Sequence, residues 1–210
     1  MTVAQDSVAI GIIGTAGRKD DAEKLNPQKY QMMKAAVLGI IAPHTSRSIL
    51  FVSGGAAVAD HLAVQLFLAL PNTKLRLHLP AVYDTNAQRF IETPGKMFDP
   101  GNVANFYHRK FWKSCQQPSL AEINQAIRRG AEVKVTPGFK ERNTQVAQDA
   151  DVLIALTFGD GPSLKDGGTR DTMEKFLRRR HGTSFHVDLH NMAVHSPATI
   201  HGISNAPELL

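Results

Sequence analysis

The stretch Phe51-Val52-Ser53-Gly54-Gly55-Ala56-Ala57-Val58-Ala59-Asp60-His61-Leu62-Ala63 decides how the chain is read. An apolar run at 49–52 stops at Ser53, Gly54 and Gly55. Val58, Leu62, Leu66 and Ala69 then recur at helical spacing. A strand, a glycine turn and a helix start form a ready anion site. The glycines let backbone N–H groups approach a ligand, and the helix start carries partial positive charge. Ser53 is placed to act as the N-cap of the helix. The expected ligand carries phosphate, and a nucleotide fits best. An ordinary tight turn with no ligand would have the same local sequence.

Outward from this stretch the strand-to-turn pattern repeats. An apolar run at 8–13 is followed by Gly14-Thr15-Ala16-Gly17-Arg18, where Arg18 can offer a bidentate fork to phosphate. The turn is neither a Walker A loop nor a complete dinucleotide fingerprint. Residues 19–27 read as a polar loop and 28–42 as a helix. A third strand is expected at 75–79. The alternation predicts an α/β fold: a Rossmann-like, doubly wound, mostly parallel sheet with helices on both faces, and ligands at the C-terminal ends of its strands.

Residues 81–137 interrupt this rhythm and read as an insertion. Within them, 106–113 interleave basic and aromatic residues. Such a run can bind single-stranded nucleic acid by stacking and phosphate contacts. The preferred reading is a helix with Phe106, Phe111 and Trp112 packed inward and the cations outward. Ser119 and Glu122 have the spacing of a capping box. A short strand is expected at 132–135, a helix opening at Glu141-Arg142-Asn143, and a strongly apolar strand at 151–156. A glycine-rich loop leads to Gly167-Gly168-Thr169, a helix at 170–180 and a last strand at 183–189. Residues 191–210 read as an irregular tail on a single domain spanning 1–210.

The chain's 210 residues are 42% hydrophobic and 20% charged, enough for a real core, and the formal charge of +5 favours anionic partners. Cys115 is the single cysteine, so no disulfide forms within the chain. No run is long and apolar enough to span a bilayer or act as a leader. The expectation is a cytoplasmic protein with no membrane partner, and the fold class suggests a homodimer through outer helices. The nine histidines show no metal-ligand spacing, so neither metal nor cofactor is expected.

Four turns following apolar strands would converge on one edge of a parallel sheet. Ser53-Gly54-Gly55-Ala56, with Asp60 and Ala63, resembles the Ser-Gly-Gly-Ala motif of the SLOG superfamily of Rossmann-like nucleotide-binding proteins. Residues 14–18 are similar to that superfamily's first glycine turn. Residues 141–155, with Gly167, Gly168, Thr169 and Thr172, resemble its second half. The resemblance covers about 8–80 and 138–190. The superfamily includes the LOG phosphoribohydrolases, the DNA-processing protein A type that loads recombinase on single strands, and nucleotide-signal sensors.

The phosphoribohydrolase branch carries an Arg-Lys pair and a Pro-Gly-Gly-x-Gly-Thr-x-x-Glu loop. Here Arg142 matches the arginine, Asn143 replaces the lysine, Asp166 replaces the proline and Arg170 stands where the third glycine would be. Glu174 keeps the offset of the family glutamate. Val58 stands where relatives often have glycine.

The resemblance implies ligand contacts from Gly14, Thr15, Gly17, Arg18, Ser53, Gly54, Gly55, Ala56, Asn143, Gly167, Gly168, Thr169 and Thr172. If the protein is a hydrolase, it would cleave the N-glycosidic bond of a nucleoside monophosphate. Glu174 would then be the carboxylate that stabilises the oxocarbenium-like transition state, with Asp60 or Asp171 in reserve and Arg142 gripping phosphate. The alternatives are a non-catalytic sensor, or a single-stranded DNA-binding protein acting through 106–113.

Overall fold

The structure is a computed structural model that describes residues 7–93, 95, 98–136, 138–179 and 182–196. Its centre is β1 (Ser7–Gly14), which pairs in parallel with β2 (Ser48–Ser53) on one side and with β7 (Val152–Thr157) on the other. From β2 the sheet runs outward through β3 (Thr73–Leu79) to β6 (Glu132–Val135). From β7 it runs through β8 (Thr183–Asp188) to β9 (Ala193–His195). The order is β6-β3-β2-β1-β7-β8-β9, with only the β8–β9 pair antiparallel. The strand order reverses between β1 and β7, which makes the crevice beyond their C-terminal ends the topological switch point of the fold.

Alternate residues of the buried strands feed two cores. Ile10, Ile12, Phe51, Leu77 and Ile154 face α1 (Pro27–Ile41), α2 (His61–Ala69), α3 (Pro100–Cys115) and α4 (Ser119–Arg128). Ile13, Val52, Leu153 and Ala155 face α5 (Phe139–Asp149) and α6 (Gly168–Leu177). Strands buried on both faces are near-continuous apolar runs, which is why 8–13, 49–52 and 151–156 could be recognised. The Rossmann-like α/β expectation is met.

Several local expectations need correction. Ser53 does not cap α2. It ends β2, and α2 starts only at His61, with Asp60 at the N-cap. The turn between them includes Val58 at φ +66°, a left-handed backbone that a β-branched residue adopts only under strain. Glycine at that point would be free of the strain. The expected polar loop at 19–27 contains a 3-10 turn at Lys19–Lys24, and Asn26 caps α1 by accepting from the Lys29 N–H.

The expected insertion supplies the crossover from β3 to β6 and then β6 itself. It holds a small hairpin, β4 (Tyr83–Asp84) with β5 (Arg89–Phe90), followed by α3 and α4. On α3 only Phe111 of the three aromatics turns inward. Phe106 is 46% exposed and Trp112 58% exposed, because Asn105, His108 and Phe111 take the buried face. The capping box at Ser119 and Glu122 does not form. Pro118 is the N-cap, the Ser119 hydroxyl meets His108, and Glu122 meets His61. In the expected tail, 193–195 form β9, while 197–210 lie outside the described residues. No helix among the described residues is long and apolar enough to cross a membrane.

A candidate anion site at the switch point

A cavity of about 380 Å3 opens beyond the C-terminal ends of β1, β2 and β7. Its lining comes from the turn after β1, the turn after β2, Pro80 after β3, one face of α3, the start of α5, and the loop leading into α6.

The first turn begins at Gly14, where a Cβ would lie 2.2 Å from the Leu156 carbonyl oxygen, so only glycine lets β1 and β7 stay paired. The Thr15 hydroxyl donates to Asp21 (2.7 Å) and accepts from the Gly17 N–H (3.1 Å). The second turn is closed by Ser53, whose hydroxyl accepts from the Gly55 N–H (3.1 Å) and donates to the Asp60 carbonyl (2.8 Å). The two turns are joined directly, since the Ala59 N–H donates to the Thr15 carbonyl (3.1 Å).

Asp60 and Arg142 form the floor of the site. Asp60 accepts from the Gly14 N–H at 3.2 Å and lies 3.4 Å from Arg142 Nη1. The same nitrogen donates to the Gly54 carbonyl at 2.8 Å. Arg142 lies flat on the turn, and a Cβ on residue 54 would fall 2.0 Å from that nitrogen. Burial pushes the Asp60 carboxyl up, against Arg142 and the amides of Gly14, Ala56 and Gly54, which hold it down. Burial likewise lowers the Arg142 guanidinium. Asp60 opposes that shift, and the nearby Arg18 adds to it. The Nε of Arg142 is buried without a hydrogen-bond partner.

Two helices open onto the cavity. α5 starts after Gly138 and α6 after Gly167, and neither N-cap residue supplies a side-chain bond to its helix. By contrast, Asn26 and Asp99 cap α1 and α3 with their side chains. α5 and α6 therefore bring the positive ends of their dipoles to the cavity lining. The Asn143 amide holds the two starts together, donating to the Gly168 carbonyl (3.2 Å) and to Asp171 (3.2 Å).

The sequence candidates divide accordingly. Gly14, Thr15, Arg18, Gly54, Gly55, Ala56, Asp60, Arg142, Asn143, Gly167, Gly168, Thr169 and Thr172 all line the cavity. Ser53 sits beneath the turn, buried. Gly17 lines a neighbouring apolar hollow of about 260 Å3. Glu174 does not line the cavity and instead pairs along α6 with Arg170 (2.9 Å) and Arg178 (3.7 Å). A helical offset that matches a motif does not fix the side chain's direction when the loop before it differs in length. Asp171, the reserve carboxylate, is also outside the lining and bridges Asn143 and Lys175.

Sequence reasoning missed Tyr107, Phe139, Asp21 and Lys165. Lys165 crosses from the loop before α6 to Asp21 (2.8 Å) and Asp20 (3.1 Å), closing one side of the cavity. It also missed His108, buried on α3. Its Nε2 lies 3.1 Å from the Gly55 carbonyl oxygen and its Nδ1 2.8 Å from the Ser119 hydroxyl. Since a carbonyl only accepts, Nε2 carries the proton and Nδ1 accepts from Ser119. Burial, with His61 nearby, pushes His108 down to about 3, so the ring is neutral and tethers α3 and α4 to the glycine turn.

No family model matches the chain. Uncharacterized protein R261 of Acanthamoeba polyphaga mimivirus is 33% identical over 189 residues, covering 87% of this chain and 96% of that protein. The chain belongs to the family of R261. Among solved structures, the X-ray structure of TM1055, a structural genomics target, covers 83% of this chain and 69% of its own at 14% identity and a TM-score of 0.40. With 96% of the viral protein covered, this member of the R261 family and its viral relative correspond over nearly the whole length of R261.

Proposed function

We propose that the protein binds a phosphorylated small molecule of the nucleotide class at the switch-point cavity, as a binding module or sensor. The observation that carries this reading is the pair of helix starts without side-chain caps, α5 and α6, facing one cavity that also holds Arg18 and Arg142. Backbone donors, helix dipoles and guanidinium groups together are the usual means of holding a phosphate. The cavity is near the small end of the roughly 300–1,000 Å3 range of small-molecule sites. The glycine turns that resemble the SLOG superfamily favour the same ligand class.

Binding is favoured over glycoside hydrolysis because the carboxylates on the lining are already engaged. Asp21 holds Thr15 and Lys165, Asp60 holds Gly14 and Arg142, and Asp166 pairs with Arg170. Glu174 is on α6 outside the lining. The test is calorimetry and thermal shift with the four nucleoside 5′-monophosphates and ribose 5-phosphate, with the supernatant analysed for free base. The expected result is saturable binding that raises Tm by several degrees at ligand about 100-fold above Kd, weakened at least tenfold by Arg18→Ala, with no base released. Absence of any shift at millimolar ligand would refute the reading, and release of base would replace it with hydrolysis.

One observation favours a second reading. Phe106 and Trp112 are exposed on α3, with Lys110 5.2 Å from the Phe106 ring centre. That surface suits single-stranded nucleic acid. Oligonucleotide binding that falls steeply with salt and is weakened by Trp112→Ala would support it.

A further inference from the structure

The cavity has an aromatic side that phosphate recognition does not use. Tyr107, from the crossover between β3 and β6, and Phe139, at the start of α5, both line it and are half-buried. The Arg18 guanidinium lies 5.1 Å from the Tyr107 ring centre and 5.8 Å from that of Phe139. Arg142 lies 5.6 Å from the Phe139 ring on the same lining. Arg18 pairs with no carboxylate among the described residues, so the rings are its contacts. The result is a ladder of alternating rings and planar cations along one wall. Such a wall is matched by a flat π-system, which stacks on tyrosine and on guanidinium alike. A sugar phosphate alone would leave the rings unused.

We infer that Tyr107, Arg18 and Phe139 form the subsite for a planar aromatic group on the ligand, so the preferred ligands are phosphates that carry a heteroaromatic base. This rests on the phosphate-binding reading above and adds the part of the ligand that gives selectivity. It also gives that crossover a role. The crossover brings Tyr107 to the cavity on α3, and the His108 tether to Gly55 fixes that helix against the glycine turn beside it. Tyr107 is the specificity-determining residue, because Arg18 also serves the phosphate and Phe139 is already faced by Arg142.

The experiment compares Kd for the four nucleoside 5′-monophosphates, ribose 5-phosphate and inorganic phosphate on the wild-type chain, Tyr107→Phe, Tyr107→Leu and Tyr107→Ala. The readout is the ratio of nucleotide to ribose 5-phosphate affinity. In the wild type at least one nucleotide should bind tenfold or more tighter than ribose 5-phosphate. Tyr107→Phe should keep that ratio. Tyr107→Ala should reduce it at least fivefold, the low end of base–aromatic stacking. Tyr107→Leu keeps bulk without a π-face and should fall with alanine, which separates stacking from simple packing. If ribose 5-phosphate binds as tightly as every nucleotide, or Tyr107→Ala lowers all affinities equally, the inference is overturned while the phosphate site stands. If no phosphorylated probe binds, both fall.

Discussion

His108 should make the fold acid-labile in a range where most buried side chains are indifferent. The ring is buried and neutral, donating to Gly55 and accepting from Ser119. Its ordinary value of 6.5 is pushed down to about 3 by burial and by His61. In the unfolded chain the ring gains a proton below about 6.5, whereas in the native state it does not until about 3. Native stability is therefore fully present above 6.5 and is lost progressively as pH falls toward 3. At pH 5.0 the unfolded ring has been favoured through 1.5 units, which at 1.36 kcal/mol per unit is about 2 kcal/mol from this residue alone.

The assay is urea unfolding followed by far-ultraviolet circular dichroism at pH 7.5 and 5.0, on the wild type and His108→Gln. Glutamine can still donate to Gly55 but cannot titrate. His78 and His186, which are also pushed down by burial, contribute equally to both proteins and cancel. The wild type should lose about 2 kcal/mol more than the variant between the two conditions. Equal losses would mean that His108 is not held neutral by its site, and the proposed tether would be wrong.

Two further outcomes are expected. Gly54→Ala would place a methyl group on the Arg142 guanidinium, 2.0 Å from Nη1. It should cost about 1–3 kcal/mol of stability by overpacking and weaken phosphate ligands at least tenfold, read by denaturation and calorimetry. Glu174→Gln should change ligand affinity less than twofold, because Glu174 faces Arg170 and Arg178 rather than the cavity. Its ion pairs are surface pairs along one helix, so stability should fall by less than about 1 kcal/mol.

The central sheet was legible because parallel strands covered on both faces must be apolar along their whole length, as in 8–13 and 151–156. β6 lies at an edge, and all four of its residues are exposed. Its expected position held on alternation and on the flanking turns alone. α3 was harder to read, since its buried face carries Asn105 and His108, polar residues whose hydrogen bonds are made inside the protein. Their partners, Phe90 and Gly55, are not neighbours in sequence. The Ser119–Glu122 spacing misled for the same reason, with each side chain drawn to a distant histidine. At the site, the glycine turns were visible because close strand and helix approach demands them. Tyr107, Phe139 and Lys165 were not, because nothing local distinguishes a cavity-facing side chain from a solvated one.

β1 precedes the other strands of the sheet in the chain yet sits in the middle of the finished sheet. Its partner β2 follows within a few dozen residues, but its other neighbour pairs Ile10 with Val152. At about 5–20 residues per second of synthesis, that edge of β1 stays bare for on the order of ten seconds on the ribosome. The exposed face is an apolar, strand-forming run with unsatisfied backbone groups, the kind of edge that seeks other chains. The cavity too is incomplete until the loop before α6 has emerged. The centre of the sheet is therefore completed only late in the chain, and a nascent chain stalled before residue 152 would be prone to aggregate.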